Sequence, residues 1–382
     1  LMKLAGDEQQ PDQLLGAAVA NQKSAGAYLL QHNAKETAGE LELSAPYEQL
    51  DKIRTYAHGH LSGENGEAVY GKHLKLSASQ IDRHANCAMS YFLQYGLRAR
   101  ERKPATVDPA EFGTFVHDVL EKTGRQIVDL GGFQTVGKEE TLQIAREYAQ
   151  AYIKTHFADL DSERIAYLFR RNGRELELIV EELWRELHES TFAPVMFELS
   201  FGGTDAAYPA IDIRGREMNA KVRGFVDRVD VWKDGEQTYY RVVDYKTGAK
   251  SFDYCDVVNG IGLQMLLYLF ALEDLDSGML GNGAVPAGVQ YFPARAPVVS
   301  VDSVMDEQAA AQERDSHWKR SGLLLQDETG LQGMEPGDKP SRMPYKRRKD
   351  GAISGDLADA NQLQMLKKLS QQQTALLTAN MT

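Results

Sequence analysis

Residues 220–248 read AKVRGFVDRVDVWKDGEQTYYRVVDYKTG, two runs rich in valine and aromatic residues divided by Asp234-Gly235. Two such runs around a short turn predict a β-hairpin, and the hairpin restricts the chain to folds built around a sheet. The second run carries an acid and a base, Asp244 and Lys246, on one face, because strand side chains alternate with period two. With Asp234-Gly235 as a two-residue turn, Lys233 faces Glu236 and Asp227 faces Val242. Asp244 then lies diagonal to Asp227 on the same face. Diagonal neighbours stand about 7–8 Å apart, close enough for two carboxylates to converge on one divalent cation. The face is expected to be the floor of a metal site.

The flanking segments read as helices and further strands. Ser77 and Gln80 form a capping box, with Leu76 as staple, for a helix carrying Cys87, Tyr91 and Phe92 and stopping near Gly96. Asp108, Pro109 and Glu111 mark a second helix start. Phe112, Phe115, Val116 and Val119 form one buried stripe along it, with His117 at the edge. Residues 138–192 are helical in pattern. PVMFELSFGG and AYPAIDIRG read as strands, and Glu198 in the first as an edge-strand surface residue. An apolar helix, VVNGIGLQMLLYLFALEDL, and a strand, AGVQYFPA, follow. The last 80 or so residues read as helical or irregular, with a basic knot at Lys339, Arg342, Lys346, Arg347, Arg348 and Lys349. The pair His58 and His60 reads as loop histidines. Asp230 is expected to point away from Asp227 and to pair with Arg228 or another cation.

Composition narrows the class. No run of about 18 apolar residues exists, so no membrane-spanning helix is expected. The opening LMKLAGDEQQ lacks the apolar stretch of a signal peptide, and a start at Leu1 is expected of a piece of a longer protein. A net charge of −12 argues against a protein that coats nucleic acid without selectivity, though not against a local basic groove. Two cysteines, Cys87 and Cys255, exclude a disulfide scaffold and point to a reducing cytoplasm. The expected fold class is α/β: a central mixed sheet flanked by helices, with a large helical insertion. Residues 1–75 read as a linker or the tail of a preceding helical domain, and 357–382 as a C-terminal helix. The domain between, 76–356, divides into a helical part (76–192) and a sheet core (193–300).

Four features occur in order: His117 on a helix after Gly113, Asp227 in GFVDRVD, Asp244 and Lys246 in VVDYKTG, and Gln264 with Tyr268 in QMLLY. This order resembles the RecB-like branch of the PD-(D/E)xK nuclease superfamily, with its restriction-endonuclease-like core. LSASQIDRHANCAMSYFLQYGLRARER, FGTFVHDVLE and GIGLQMLLYL resemble the C-terminal nuclease domain of the B subunit of AddAB-type ATP-dependent helicase–nucleases. The likeness runs from about Leu76 to Gly355. It implies that His117, Asp227, Asp244 and the carbonyl of Tyr245 hold Mg²⁺ or Mn²⁺. It implies further that Lys246 orients the attacking water or stabilises the charged phosphoryl group, and that Gln264 and Tyr268 line the DNA side. The implied activity is exonucleolytic hydrolysis of linear DNA during double-strand-break processing and recombination, with a helicase–nuclease A subunit as partner.

The chain departs from that family at one place. A [4Fe–4S] cluster there takes one cysteine before the nuclease motifs and three after. Here Cys87 fills the first position, but the later segment, KPSRMPYKRRKDG, has none, and Cys255 lies between motifs. One thiolate cannot hold a cluster that needs four, so none is expected. Packing alone is then expected to dock the C-terminal segment on the Cys87 helix. Gly132–Lys138, GFQTVGK, has the spacing of a phosphate-binding loop, but Glu139 follows where Ser or Thr is needed, and no strand leads in. Two alternatives stay open: an inactive DNA-binding scaffold, and a stand-alone RecB- or Cas4-like nuclease. Intact Asp227, Asp244 and Lys246 speak against the scaffold, since unbalanced buried charge serves no scaffold. QYGLRARER speaks for the helicase-associated type.

Overall fold

The computed structural model describes residues 63–71, 74–99, 109–156, 163–203, 206–214, 219–275, 280–281, 283–296, 309, 313, 315–379 and 381. His58, His60 and Asp108 lie outside them. The chain divides into two compact units, Leu1–Val69 and Tyr70–Thr382. Of the first, only the residues of helix α1 (Gly63–Tyr70) are described.

In the second unit, strand β1 (Leu74–Ser77) runs into helix α2 (Ala78–Asn86). Both bonds of the expected capping box are present, Gln80 N donating to Ser77 Oγ at 3.3 Å and Ser77 N to Gln80 Oε1 at 2.7 Å. The expected single helix breaks at Cys87, which is extended and caps the next turn, its Sγ accepting from Ser90 N. That turn, α3 (Ala88–Tyr91), passes into a π-helical turn at Phe92–Gly96. Three long helices follow: α4 (Pro109–Asp129), α5 (Lys138–His156) and α6 (Glu163–Glu189). The Gly132–Lys138 segment joins α4 to α5, so no strand enters it.

Strands β2 (Ala193–Phe201), β3 (Ile211–Arg214), β4 (Asn219–Asp234) and β5 (Gln237–Lys246) come next. Helices α7 (Tyr254–Val258) and α8 (Gln264–Leu275) carry the chain across to β6 (Val285–Pro293). Beyond lie β7 (Ser321–Leu325), α9 (Glu328–Met334), β8 (Tyr345–Arg347), β9 (Ile353–Gly355), β10 (Leu357–Ala358) and α10 (Ala360–Ala379). Among the described residues, eight strands form one mixed sheet, with β1, β4, β5, β6, β7 and β10 side by side and β2 and β3 also on β4. The sheet is parallel at β1–β4, β5–β6 and β7–β10 and antiparallel elsewhere. The α/β class holds. The edge strands β1, β7 and β10 were not legible from local pattern, because parallel pairing is set by distant segments.

The hairpin register differs from expectation. Asp234 pairs with Gln237, and the turn is Gly235-Glu236, one residue later than expected. Gly235 has φ +59°, whereas Glu236 has none of the positive φ confined, among non-glycine residues, to Arg98 and Glu198. That is the II′ pattern, which wants glycine at the first central position. Arg228 therefore faces Val243. Asp227 comes to lie opposite Asp244 rather than opposite Val242.

One face of the sheet packs on α2 and α8 through Ile81, Leu263, Leu266 and Leu269, the other on α4 and α6 through Val116, Val119, Ile179 and Leu183. Burying these faces is the main source of stability, at roughly 1.5–3 kcal/mol per large apolar side chain. Charge enters the second layer as well. Glu186 sits 3.0 Å from Arg228, 2.8 Å from Arg241 and 2.5 Å from Arg320. Asp230 holds both Arg228 and Arg241 at 2.8 Å, so its expected pairing is met. All five side chains are essentially unexposed. Burial would raise the Glu186 carboxyl, but Arg320, Arg241 and Arg228 together hold it well below the carboxylate range.

The basic segment does not dock on the Cys87 helix as expected. Glu335 accepts from the backbone amides of Ser341, Arg342 and Met343. Arg342 bridges Glu182 and Glu189 of α6 at 2.8 and 2.7 Å. Met343 and Tyr345 are buried with Phe192, Tyr239, Leu324 and Leu331. Ion pairing and apolar contact with α6 and α9 thus dock this segment.

Candidate metal and nuclease site

Strands β2, β4 and β5 place three acids in a row across the sheet. The β2–β4 register, Phe197 to Arg228 and Leu199 to Val226, puts Glu198 opposite Asp227. The β4–β5 register puts Asp244 on the other side of Asp227. Helix α4 brings His117 over this row, because the Phe115, Val116 and Val119 stripe on either side of it is buried at 3, 0 and 0% exposure.

The imidazole is held at both nitrogens. Nε2 donates to the Tyr245 carbonyl at 3.0 Å, and Nδ1 faces Asp227 Oδ1 at 3.4 Å and Glu198 Oε1 at 3.8 Å. Desolvation alone would depress its pKa. Hydrogen bonding and attraction to Asp227 and Glu198 override it and lift the pKa to about 10. The other Asp227 oxygen, Oδ2, accepts from Tyr245 N at 2.6 Å. One residue, Tyr245, thus fixes both partners through its backbone. Its ring is buried against Phe292 and the Arg228 guanidinium.

One ligand atom each from His117, Glu198 and Asp227 lies within 4.8 Å of the others, the spacing of a set that can close on one cation. Reading Glu198 as a surface residue therefore fails. Its side chain is 28% exposed, and its φ of +46° is rare for a non-glycine residue inside a strand. Neighbouring sequence gives no signal of this, since the conformation comes from pairing with β4.

Asp244 is 5% exposed. Burial and then the neighbouring Asp227 charge raise its carboxyl to about 6, even with Lys246 Nζ at 2.6 Å from Oδ2. Excess negative charge at this spot is what a cation would neutralise, and oxygen donors with one imidazole suit Mg²⁺ or Mn²⁺. The donor set fits the expected ion. The Tyr245 carbonyl, expected to face that ion, is engaged by His117.

Gln264 and Tyr268 sit one turn apart on α8 and are hydrogen-bonded to each other. Tyr268 is 1% exposed, so it supports the floor of the site rather than its open side. A Cβ added to Gly224 would overlap the Tyr268 hydroxyl, which is why glycine precedes Phe225 on β4. Burial raises the phenol to about 12. A residue that motif reading passed over, Asp82 of α2, accepts from Gly262 N at 3.0 Å and ties the start of α8 to the N-terminal helix.

A family model described as the PD-(D/E)XK nuclease superfamily matches residues 75–346. The B subunit of the ATP-dependent helicase/deoxyribonuclease of Moorella thermoacetica is 33% identical over 301 residues, 77% of this chain and 26% of that protein. The protein of the same name from Clostridium novyi is 31% identical over 308 residues, 78% of this chain and 27% of that protein. For Clostridium perfringens the identity is 28% over 352 residues, 87% and 30% of the two chains. The chain spans about a quarter of the length of the first two of these relatives.

Proposed function

Because the chain belongs to the PD-(D/E)XK nuclease superfamily, we propose that it is a divalent-metal-dependent deoxyribonuclease acting exonucleolytically on linear DNA. The observation that carries this reading is the meeting of His117, Glu198 and Asp227 beside the Asp244–Lys246 pair. Asp227, Asp244, His117 and Glu198 are the residues that would hold the ion, with the Tyr245 carbonyl beside them. When bound, the ion supplies a Lewis acid for water and a counter-charge for the phosphate. Lys246 places an ammonium group where the phosphoryl oxygens gather charge. Tyr245 keeps His117 and Asp227 in place through its backbone, and Gln264 and Tyr268 brace β4 beneath the reacting strand.

We assign the nuclease domain to residues 76–356, with 357–382 as a C-terminal helix and 1–75 as the end of a preceding region. The relatives' names support a place in a helicase–nuclease complex, with a helicase–nuclease A subunit as partner, in double-strand-break processing. That role belongs in the cytoplasm; no helix among the described residues is long and apolar enough to cross a membrane. With two cysteines in the sequence, we read the domain as free of a [4Fe–4S] cluster.

The test is end-labelled linear DNA incubated with Mg²⁺, with Mn²⁺, and with chelator. Cleavage is expected only with metal, and the fragment ladder gives the polarity. Metal-independent cleavage, or none in any condition, rejects the reading.

A further inference from the structure

Strand β4 leads toward Asp227 with a regular alternation. Ala220, Val222 and Val226 are buried, whereas Lys221, Arg223 and Phe225 are exposed. Phe225 is 60% exposed, a large aromatic ring left open two residues before a metal-site acid. Its neighbour Gly224 presses on Tyr268 on the covered side, which leaves the Phe225 ring on the open one. Across β2 its partner is Ser200, too small to cover it. No ion pair with a described residue engages Arg223, and Lys221 has only an exposed Asp212 at 4.0 Å. In a chain of net charge −12, two open cations and an aromatic ring thus line up beside the acidic cluster.

We propose that Lys221, Arg223 and Phe225 form a track for an unpaired DNA strand, with a base stacking on Phe225 as its phosphates meet Arg223 and Lys221. The inference rests on the nuclease reading and adds a selectivity residue to it. Proteins that hold single strands pair a cationic groove with aromatic platforms, and each stacked base contributes substantially to binding. Phosphate contacts hold the strand in register, and the ring selects bases that are not paired. A duplex end with no frayed base offers no face to the ring. The track therefore favours an unpaired end over a closed duplex at the same metal site.

The test measures binding of a fluorescent single-stranded oligodeoxynucleotide and of a blunt duplex to the 382-residue chain, in chelator so that nothing is cut. Phe225→Ala is expected to weaken single-strand binding roughly 5- to 150-fold and to leave duplex binding unchanged. Phe225→Trp should restore it, with the indole fluorescence quenched by the bound base. An oligonucleotide of abasic sites should bind wild type and Phe225→Ala alike. Unchanged single-strand affinity in Phe225→Ala overturns the proposal, as does equal weakening for the normal and abasic strands. Unchanged affinity together with loss of self-association in Phe225→Ala identifies the face as a contact between copies and also overturns it. Absence of metal-dependent cleavage in the wild type would remove the nuclease reading without altering these binding results, so the two failures are distinguishable.

Discussion

The Tyr245 amide donates to Asp227 Oδ2 at 2.6 Å, so a backbone group of β5 fixes an acid of β4. The next atoms along β5 do the same for α4, since the Tyr245 carbonyl takes the His117 Nε2 proton. Three elements distant in sequence are thereby locked around one residue.

Asp227 governs the titration of His117. In the metal-free protein the imidazole titrates at about 10 because hydrogen bonds and charge from Asp227 and Glu198 outweigh its burial. A raised histidine pKa gives stability that is full below the unfolded value, about 6.5, and lost as pH rises through the folded one. In Asp227→Asn the His117 signal, followed by NMR against pH without metal, should move down toward the ordinary imidazole range. A midpoint that stays near 10 contradicts the coupling.

Asp244 has the opposite sign. Its carboxyl is raised to about 6, so ionising it on the way to neutral pH costs the metal-free fold stability. Asp244→Asn should therefore be more stable without metal at pH 7, by up to about 3 kcal/mol for a shift of this size. Mn²⁺ affinity of the wild type, measured by calorimetry, should climb as pH rises through 6. A variant no more stable than wild type in denaturant titrations removes the electrostatic account.

Lys246→Ala should keep the fold and the bound cation while cutting cleavage roughly 10²- to 10³-fold. The readouts are the rate on end-labelled DNA and Mn²⁺ binding on the same preparation. Full activity in the variant denies Lys246 a part in the chemistry.

Glu186 balances three buried arginines, and its carboxyl is held low by Arg320, Arg241 and Arg228 against the opposing effect of burial. The stability this confers is present above the unfolded carboxylate value, about 4.3, and disappears as pH falls below it. Glu186→Ala should destabilise by about 3–5 kcal/mol at pH 7, because it strands buried positive charge. Urea unfolding measures this, and a loss under about 1 kcal/mol would mean that water reaches the cluster.

Gly224→Ala drives a methyl group into the Tyr268 hydroxyl, and a loss of about 1–3 kcal/mol is expected. Adding Tyr268→Phe should recover part of it in a double-mutant cycle. Strict additivity would place the clash elsewhere.

The sequence by itself determined the elements whose causes are local. The capping box at Ser77 and Gln80 and the buried stripe beside His117 were legible because their partners lie within one or two turns. Asp227, Asp244 and Lys246 were readable as one charged face because strand side chains alternate. Only the tertiary structure decided what sits next to what. The Gly235-Glu236 turn moved Asp227 opposite Asp244, and β2 turned Glu198 into the cluster. The buried arginines found Glu186 on a helix more than forty residues away. Such contacts depend on which surfaces can be buried together, a balance over the whole sheet that no short window of sequence contains.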